Sequence, residues 1–228
     1  MVSFAHLAVL AMLFSVCVVL IRWGHMIREN ERLERTCRYI MVTALVTFEI
    51  VYQIWYILNG VWDPRFALPL HLSSVTWMTA LLMLLTQRQL LFEFTFFAGV
   101  GSAMLTLITP DVGGFGFPHF RFFHFFMTHA LVIVAVVYMI CVHRFYVVLR
   151  SVLRSWIFLN IYAAFVFVVN LALPGANYMY LMRKPPGPSP FEWFGPWPYY
   201  IFVLQLVSLL LFLFMYGVYL MYEERRKR

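Results

Sequence analysis

Apolar and polar positions are segregated into long blocks along this chain. Apolar runs of about the 20 residues that cross a bilayer recur, with short polar connectors between them. The pattern predicts transmembrane helices over residues 3–23, 37–60, 68–86, 90–108, 119–142, 153–173 and 199–221. We therefore expect an all-α polytopic membrane protein, in which residues 1–228 form a single seven-helix domain.

Composition supports this interpretation and excludes a soluble globular protein. Hydrophobic residues make up 63% of the chain, charged residues make up 12%, and the mean hydropathy is +0.81. A soluble fold would have too little polar material to cover its surface. The first apolar run lacks the basic start and the small-residue cleavage site of a signal peptide, so we interpret it as a helix.

The distribution of lysine and arginine predicts the orientation in the membrane. Thirteen of the 17 basic residues fall in or beside the first, third and fifth connectors and in the C-terminal tail. Cytoplasmic connectors collect basic residues, so the N-terminus is expected outside and the C-terminus inside. Orientation and contact with anionic lipids account for the net charge of +7, and we expect membrane lipids rather than nucleic acid as partners.

Polar side chains within the predicted helices concentrate toward the outer side. A polar or ionisable group at membrane depth is costly, and it usually faces the bundle interior or a wet cavity. We expect a pocket that opens outward and gathers such residues as substrate contacts. The candidates for these contacts are His71, Ser74, Asp111, Arg121 and Asn170.

The residue types in this pocket permit nucleophilic catalysis. A serine nucleophile needs a base within hydrogen-bond reach, and the base needs a third group that fixes its tautomer. Ser73 or Ser74 is the candidate nucleophile, and His124 or His129 the candidate base. Candidates for the remaining roles are Asp111, Asp63 or Glu49 to orient the base, and Asn177 or Arg121 to stabilise an oxyanion.

Two other classes of function stay open on the residues alone. A transporter would use Glu49 at mid-membrane as a proton or cation site, and a non-catalytic subunit of a membrane complex would use the polar residues to hold loops together. His119, His124 and His129 recur every five residues, so one helix cannot direct all three at one ion. We expect no metal and no cofactor.

Three blocks of the sequence resemble those of a known family. "LPLHLSS", "ITPDVGGFGFPHFRFFHFFMTHA" and "NYMYLMRKP" are similar to the conserved blocks of YwaF-like bacterial integral membrane proteins, over about residues 40–220. That family is similar to eukaryotic transmembrane protein 164, which transfers fatty acyl groups between phospholipids with a cysteine and a histidine. The cysteine position corresponds to Ser73 here, and the histidine to His129.

The resemblance implies a lipid acyltransferase or lipid hydrolase in a bacterial plasma membrane. It implies Ser73 and His129 as the catalytic pair, with His124 as the alternative base. It also implies headgroup contacts from the third block, through Asn177, Tyr178, Arg183 and Lys184. Because a thiol is far more ionised than a hydroxyl at neutral pH, serine at this position requires a stronger or better placed base.

Overall fold

Seven apolar helices make up the bundle in the computed structural model, which describes residues 3–186 and 190–227. They are α1 (Phe4–Glu29), α2 (Glu31–Leu58), α3 (Leu72–Thr86), α4 (Gln89–Ile108), α5 (Phe120–Cys141), α6 (Leu149–Ala172) and α7 (Tyr199–Lys227). All but α3 are long and apolar enough to span a bilayer. The predicted all-α, seven-helix membrane fold is confirmed. Because its spanning helices expose large apolar side chains, the protein is a multi-pass membrane protein in contact with lipid.

Successive spanning helices run in opposite directions, so the connectors fall on two ends of the bundle. We call the end with the α2–α3, α4–α5 and α6–α7 connectors the proline face, since these connectors and the adjoining helix ends hold all the prolines. The other end is the arginine face, which holds the remaining connectors and the end of α7. Its assignment to the cytoplasm stays a prediction from the charge count.

Helices α1 and α2 were predicted over residues 3–23 and 37–60, but the end of α1 and the start of α2 extend well beyond these bounds, to Glu29 and Glu31. Only Asn30 separates them, and its side chain caps α2 by accepting a hydrogen bond from the Leu33 backbone N–H at 3.0 Å. Ion pairs one helical turn apart, Glu31 with Arg35 and Glu34 with Arg38, stabilise the first turns of α2. The charged stretch predicted as a connector is therefore helical.

Helix α3 begins four residues later than predicted, at Leu72 rather than at residue 68. Residues 68–71 are bent and not helical, and a proline at 69 pushes the residue before it out of the helical region. The helix has 15 residues, which span about 23 Å of the roughly 30 Å hydrocarbon core. Its N-terminal end is expected to lie below the membrane surface, where irregular backbone is tolerated only beside protein or a wet cavity.

Helix α4 contains a π-helical segment, Thr95–Val100, that lies against the core of the bundle. The Thr95 hydroxyl lies within hydrogen-bond distance of the Leu91 carbonyl, at 2.7 Å, and of the Thr79 hydroxyl of α3, at 3.0 Å. A Cβ at Gly99 would lie 3.1 Å from the Val132 side chain of α5, so a glycine permits this close packing. Such π segments are frequent at functional sites.

Candidate functional site

A cavity of about 770 Å³ lies in the half of the bundle toward the proline face. Helices α2 to α7 all contribute to its lining, whereas α1 contributes none of the described lining residues. Its polar residues come mainly from α2, α3 and α5, and its apolar residues mainly from α4, α6 and α7. The arrangement provides one polar wall and one apolar wall, which suits an amphipathic ligand.

The start of α3 contributes His71, Ser73 and Ser74 to the lining. His71 occupies the N-cap position of the helix, but its side chain does not cap it. Its Nδ1 instead accepts a hydrogen bond from the Met179 backbone N–H at 3.3 Å. His71 therefore joins the start of α3 to the loop after α6, and the two serines follow it at the cavity wall.

His129 on α5 is held by its own helix in a defined tautomer. Its Nδ1 lies 2.6 Å from the Phe125 carbonyl oxygen, and a carbonyl can only accept a hydrogen bond. Nδ1 therefore carries the hydrogen, and Nε2 of the neutral ring carries the lone pair. Since His129 also lines the cavity, it has the electronic form that a general base requires.

His124 lies one and a half turns before His129 and has different surroundings. Its ring stacks on that of Tyr52, with centroids 3.9 Å apart and an interplanar angle of 16°. Its Nε2 is buried and has no hydrogen-bond partner among the described residues. A buried nitrogen of this kind is expected to meet a ligand or a water molecule, since an unpaired buried polar atom costs stability.

Arg121 completes a cationic and aromatic cluster at the rim of the cavity. Its guanidinium carbon lies 5.8 Å, 5.4 Å and 4.9 Å from the ring centroids of Tyr52, Trp55 and Phe115. Its Nη2 donates to the Tyr52 hydroxyl at 3.4 Å. None of the ion pairs in the described parts of the chain involves Arg121. Its charge is therefore available to an anionic group.

The three acidic candidates for orienting the base differ in position. Asp111 lines the rim, where it accepts a hydrogen bond from the Gly113 N–H at 2.9 Å, and Glu49 lines the cavity and accepts from Gln53 at 2.9 Å. Asp63 pairs with Arg65 at 2.9 Å, and this hydrogen bond holds the pKa of Asp63 below its usual range. The His129 ring donates its hydrogen bond instead to the backbone carbonyl of residue 125.

Five residues predicted to contact substrate do not line the cavity. Four of them hold together the loop after α6, while Lys184 pairs with Glu192 at 3.6 Å. Their assignment to substrate stays a prediction, and within the described residues their hydrogen bonds are structural. The five are Asn170, Asn177, Tyr178, Arg183 and Lys184.

Asn170, near the end of α6, and Tyr178 of the following loop are bonded to each other at the centre of this region. The buried Asn170 amide donates to the Tyr178 carbonyl at 3.0 Å and accepts from the Tyr178 N–H at 2.9 Å. The Tyr178 hydroxyl donates to the Pro64 carbonyl at 2.6 Å and accepts from the Leu68 N–H at 3.0 Å. These bonds tie the α6–α7 connector to the α2–α3 connector and fix the mouth of the cavity.

Sequence reasoning missed several lining residues. Tyr52 and Gln53 lie one turn after Glu49 on α2, and Tyr56 lies two turns after it. This spacing was the available signal for a polar stripe facing the cavity. Gln205 and Ser208 of α7 also line it, although nothing in the sequence distinguishes them from packing residues. The described residues contain no cluster of three or more His, Cys, Asp or Glu side chains that could hold a metal ion.

Comparisons with known proteins agree with the membrane fold and add a family. No curated protein and no solved structure matches the chain. The family model described as the TMEM164 family matches residues 1–216, which is nearly the whole chain. The chain therefore belongs to the TMEM164 family.

Proposed function

We propose that this protein is an intramembrane acyl enzyme that removes a fatty acyl group from a phospholipid through Ser73. It passes that group to a second lipid, as an acyltransferase, or to water, as a hydrolase. The observation that carries the proposal is that Ser73, His124 and His129 line one cavity with both a polar and an apolar wall. The resemblance to YwaF-like proteins supports a bacterial plasma membrane as its location.

The reaction proceeds through an acyl-serine intermediate. The Ser73 hydroxyl oxygen attacks the ester carbonyl carbon while His129 Nε2 accepts the hydroxyl proton. The ester C–O bond breaks, and the departing lysolipid oxygen takes the proton from His129. The hydroxyl of a second lysolipid, or of water, then attacks the acyl-serine with His129 as base, and Ser73 is regenerated. No electron transfer or further reactant is needed.

The surroundings of His129 support its role as the base. In hydrolases with a serine, a histidine and an aspartate, the aspartate fixes the histidine tautomer. Here the Phe125 carbonyl, 2.6 Å from Nδ1, fixes the same tautomer without a carboxylate. The His124 ring is stacked on that of Tyr52, and its Nε2 has no hydrogen-bond partner among the described residues. These surroundings favour a contact between His124 and the substrate ester.

Arg121 is the best candidate for the phosphate of the substrate headgroup. It lines the cavity, lacks a carboxylate partner among the described residues, and is positioned by aromatic rings. A guanidinium forms strong, charge-assisted hydrogen bonds to phosphate. Arg183, which the sequence resemblance implies for this role, donates to the Gly175 carbonyl at 3.2 Å and lies outside the lining.

The apolar wall supports an acyl chain as the other part of the ligand. Side chains of α4, α6 and α7 form this wall, among them Phe97, Leu159 and Leu211. A chain lying against them would be removed from water, which favours binding by about 0.8 kcal/mol for each buried methylene. The cavity volume of about 770 Å³ is within the range of sites that enclose small molecules.

Transport of a small ligand is the second candidate function, because Glu49 lines the same cavity. An ionisable residue in a membrane helix is a usual coupling site in transporters. This function predicts sensitivity to replacement of Glu49 and indifference to replacement of Ser73. A role as a non-catalytic subunit predicts a co-purifying membrane partner and tolerance of both replacements.

Lipid mass spectrometry of the purified protein tests the proposal. The protein is incubated with two phospholipids that carry different acyl chains, and lysolipids and exchanged species are measured over time. We expect these products from the wild type and none from Ser73→Ala or His129→Ala. Ser208→Ala is the matched control, since Ser208 lines the same cavity but donates to its own helix at 2.8 Å. Unchanged lipids in every sample would contradict acyl chemistry.

A further inference from the structure

A second cavity, of about 280 Å³, lies at the arginine face, remote from the acyl site. Three separate segments each contribute one arginine to it: Arg28 at the end of α1, Arg144 in the α5–α6 connector, and Arg226 near the end of α7. His25 and Tyr222 also line it. We name it the arginine pocket.

Among the described residues, the lining of the arginine pocket is cationic and contains no carboxylate. Arg28 donates from Nε to the Val142 carbonyl at 2.8 Å and from Nη2 to the Cys141 carbonyl, so it is fixed against the end of α5. Arg226 pairs with Glu223 at 3.1 Å. These bonds go to neutral carbonyls, and none of the ion pairs among the described residues involves Arg28, which favours an anion in the pocket.

Arg144 brings a third guanidinium to this place at a cost in backbone energy. Its φ angle of 58° lies in the left-handed region, which residues other than glycine rarely adopt. None of the ion pairs within residues 3–186 and 190–227 involves Arg144. This conformation belongs to the end of α5, where the Phe145 N–H donates to the Met139 carbonyl at 3.1 Å, since left-handed residues are common at helix ends. The convergence of arginines from three separate segments on one cavity is explained by an anion that they share.

An exposed apolar surface continues from the arginine pocket along α1. Ile21 lines the pocket, and Ile21, Val18 and Phe14 are exposed on one face of the helix, at spacings of three and seven residues. A lipid whose phosphate lies in the pocket would place its acyl chains along this face. A free phosphate would make no use of it.

We propose that the arginine pocket binds the phosphate of an anionic phospholipid, at a site distinct from the acyl cavity. The shared chemistry is a phosphate anion held by Arg28, Arg144 and Arg226, and the apolar face of α1 favours the lipid as its source. Basic pockets between helices on the cytoplasmic side of membrane proteins are suited to such headgroups. The site does not depend on the proposed acyl chemistry.

Native mass spectrometry of the detergent-solubilised protein tests this site. The protein is titrated with phosphatidylglycerol, with phosphatidylcholine, and with phosphatidylglycerol in the presence of inorganic phosphate. We expect tighter retention of phosphatidylglycerol, and a loss of about fivefold in affinity for each of Arg144→Gln and Arg226→Gln. Arg150→Gln is the matched control, because it removes a charge from the same face outside the pocket lining.

The outcomes distinguish a lipid from free phosphate as the ligand, and a specific site from a general effect of charge. If millimolar inorganic phosphate displaces the lipid, the pocket binds phosphate, but its ligand is free phosphate rather than a lipid headgroup. An equal loss in Arg150→Gln, or wild-type affinity in both pocket variants, would overturn the proposal. Circular dichroism of each variant verifies folding, and Arg28 is left intact because its bonds stabilise the end of α5.

Discussion

Truncation of Asn170 distinguishes a structural from a substrate-binding role for this residue. Asn170→Ala removes two hydrogen bonds. It leaves the N–H of the buried Tyr178 without a partner among the described residues, and its carbonyl with only the bond from the Leu181 N–H at 3.4 Å. An unpaired buried group costs about 1–3 kcal/mol and a lost hydrogen bond about 1 kcal/mol, so we expect a loss of about 2–4 kcal/mol in the free energy of unfolding. For a chain of this size, that corresponds to a fall of roughly 5–15 °C in Tm.

Thermal unfolding in detergent, followed by circular dichroism, measures this loss. Asn160→Ala is the matched control on the same helix, since the Asn160 amide donates only to the Trp156 carbonyl one turn earlier, at 2.8 Å. The loss in the free energy of unfolding for Asn160→Ala should stay below about 1 kcal/mol. A wild-type Tm in Asn170→Ala, together with a loss of lipid turnover, would refute the structural account and make Asn170 a substrate contact.

Three further predictions concern the cavity and the packing of the helices around it. Ser73→Cys should turn over phospholipid faster than the wild type at neutral pH, because a thiol ionises more readily than a hydroxyl; slower turnover would contradict Ser73 as nucleophile. Arg121→Gln should raise KM for phospholipids about tenfold while Arg183→Gln leaves it unchanged, and the reverse order would assign the phosphate to the loop. Gly99→Ala should lower Tm, since its Cβ would lie 3.1 Å from neighbouring side chains, whereas Gly217→Ala has open space and should not.

The helices were predictable from sequence, because the cost of exposing backbone to lipid forces every long apolar run into a helix. The predicted helix bounds were wrong where ion pairing or backbone geometry, rather than hydropathy, determines where a helix begins. The stretch with Glu31 and Arg35 is polar, and its pairing along one helix extends α2 beyond the apolar run. At α3, the geometry before Pro69 delayed the start of the helix to Leu72.

The polar residues of the cavity were predictable in part. Residues on spanning helices, such as His124 and His129, line it as expected, because the cost of facing lipid directs them inward. Asn170, at the end of α6, was predicted to contact substrate but bonds to Tyr178 of the following loop. This contact depends on the path of the loop, which the spacing of residues in the sequence does not predict. The stacking of Tyr52 on His124 likewise depends on how α2 and α5 pack.

Detection of the acyl-serine intermediate tests the central claim most directly. The purified protein is incubated briefly with a phospholipid whose acyl chain carries an isotopic label, quenched in acid, digested, and analysed by peptide mass spectrometry. The account predicts a labelled acyl group on Ser73 in the wild type and its absence in His129→Ala. A lipid product that forms with no label on Ser73, or a label on another residue, would contradict it.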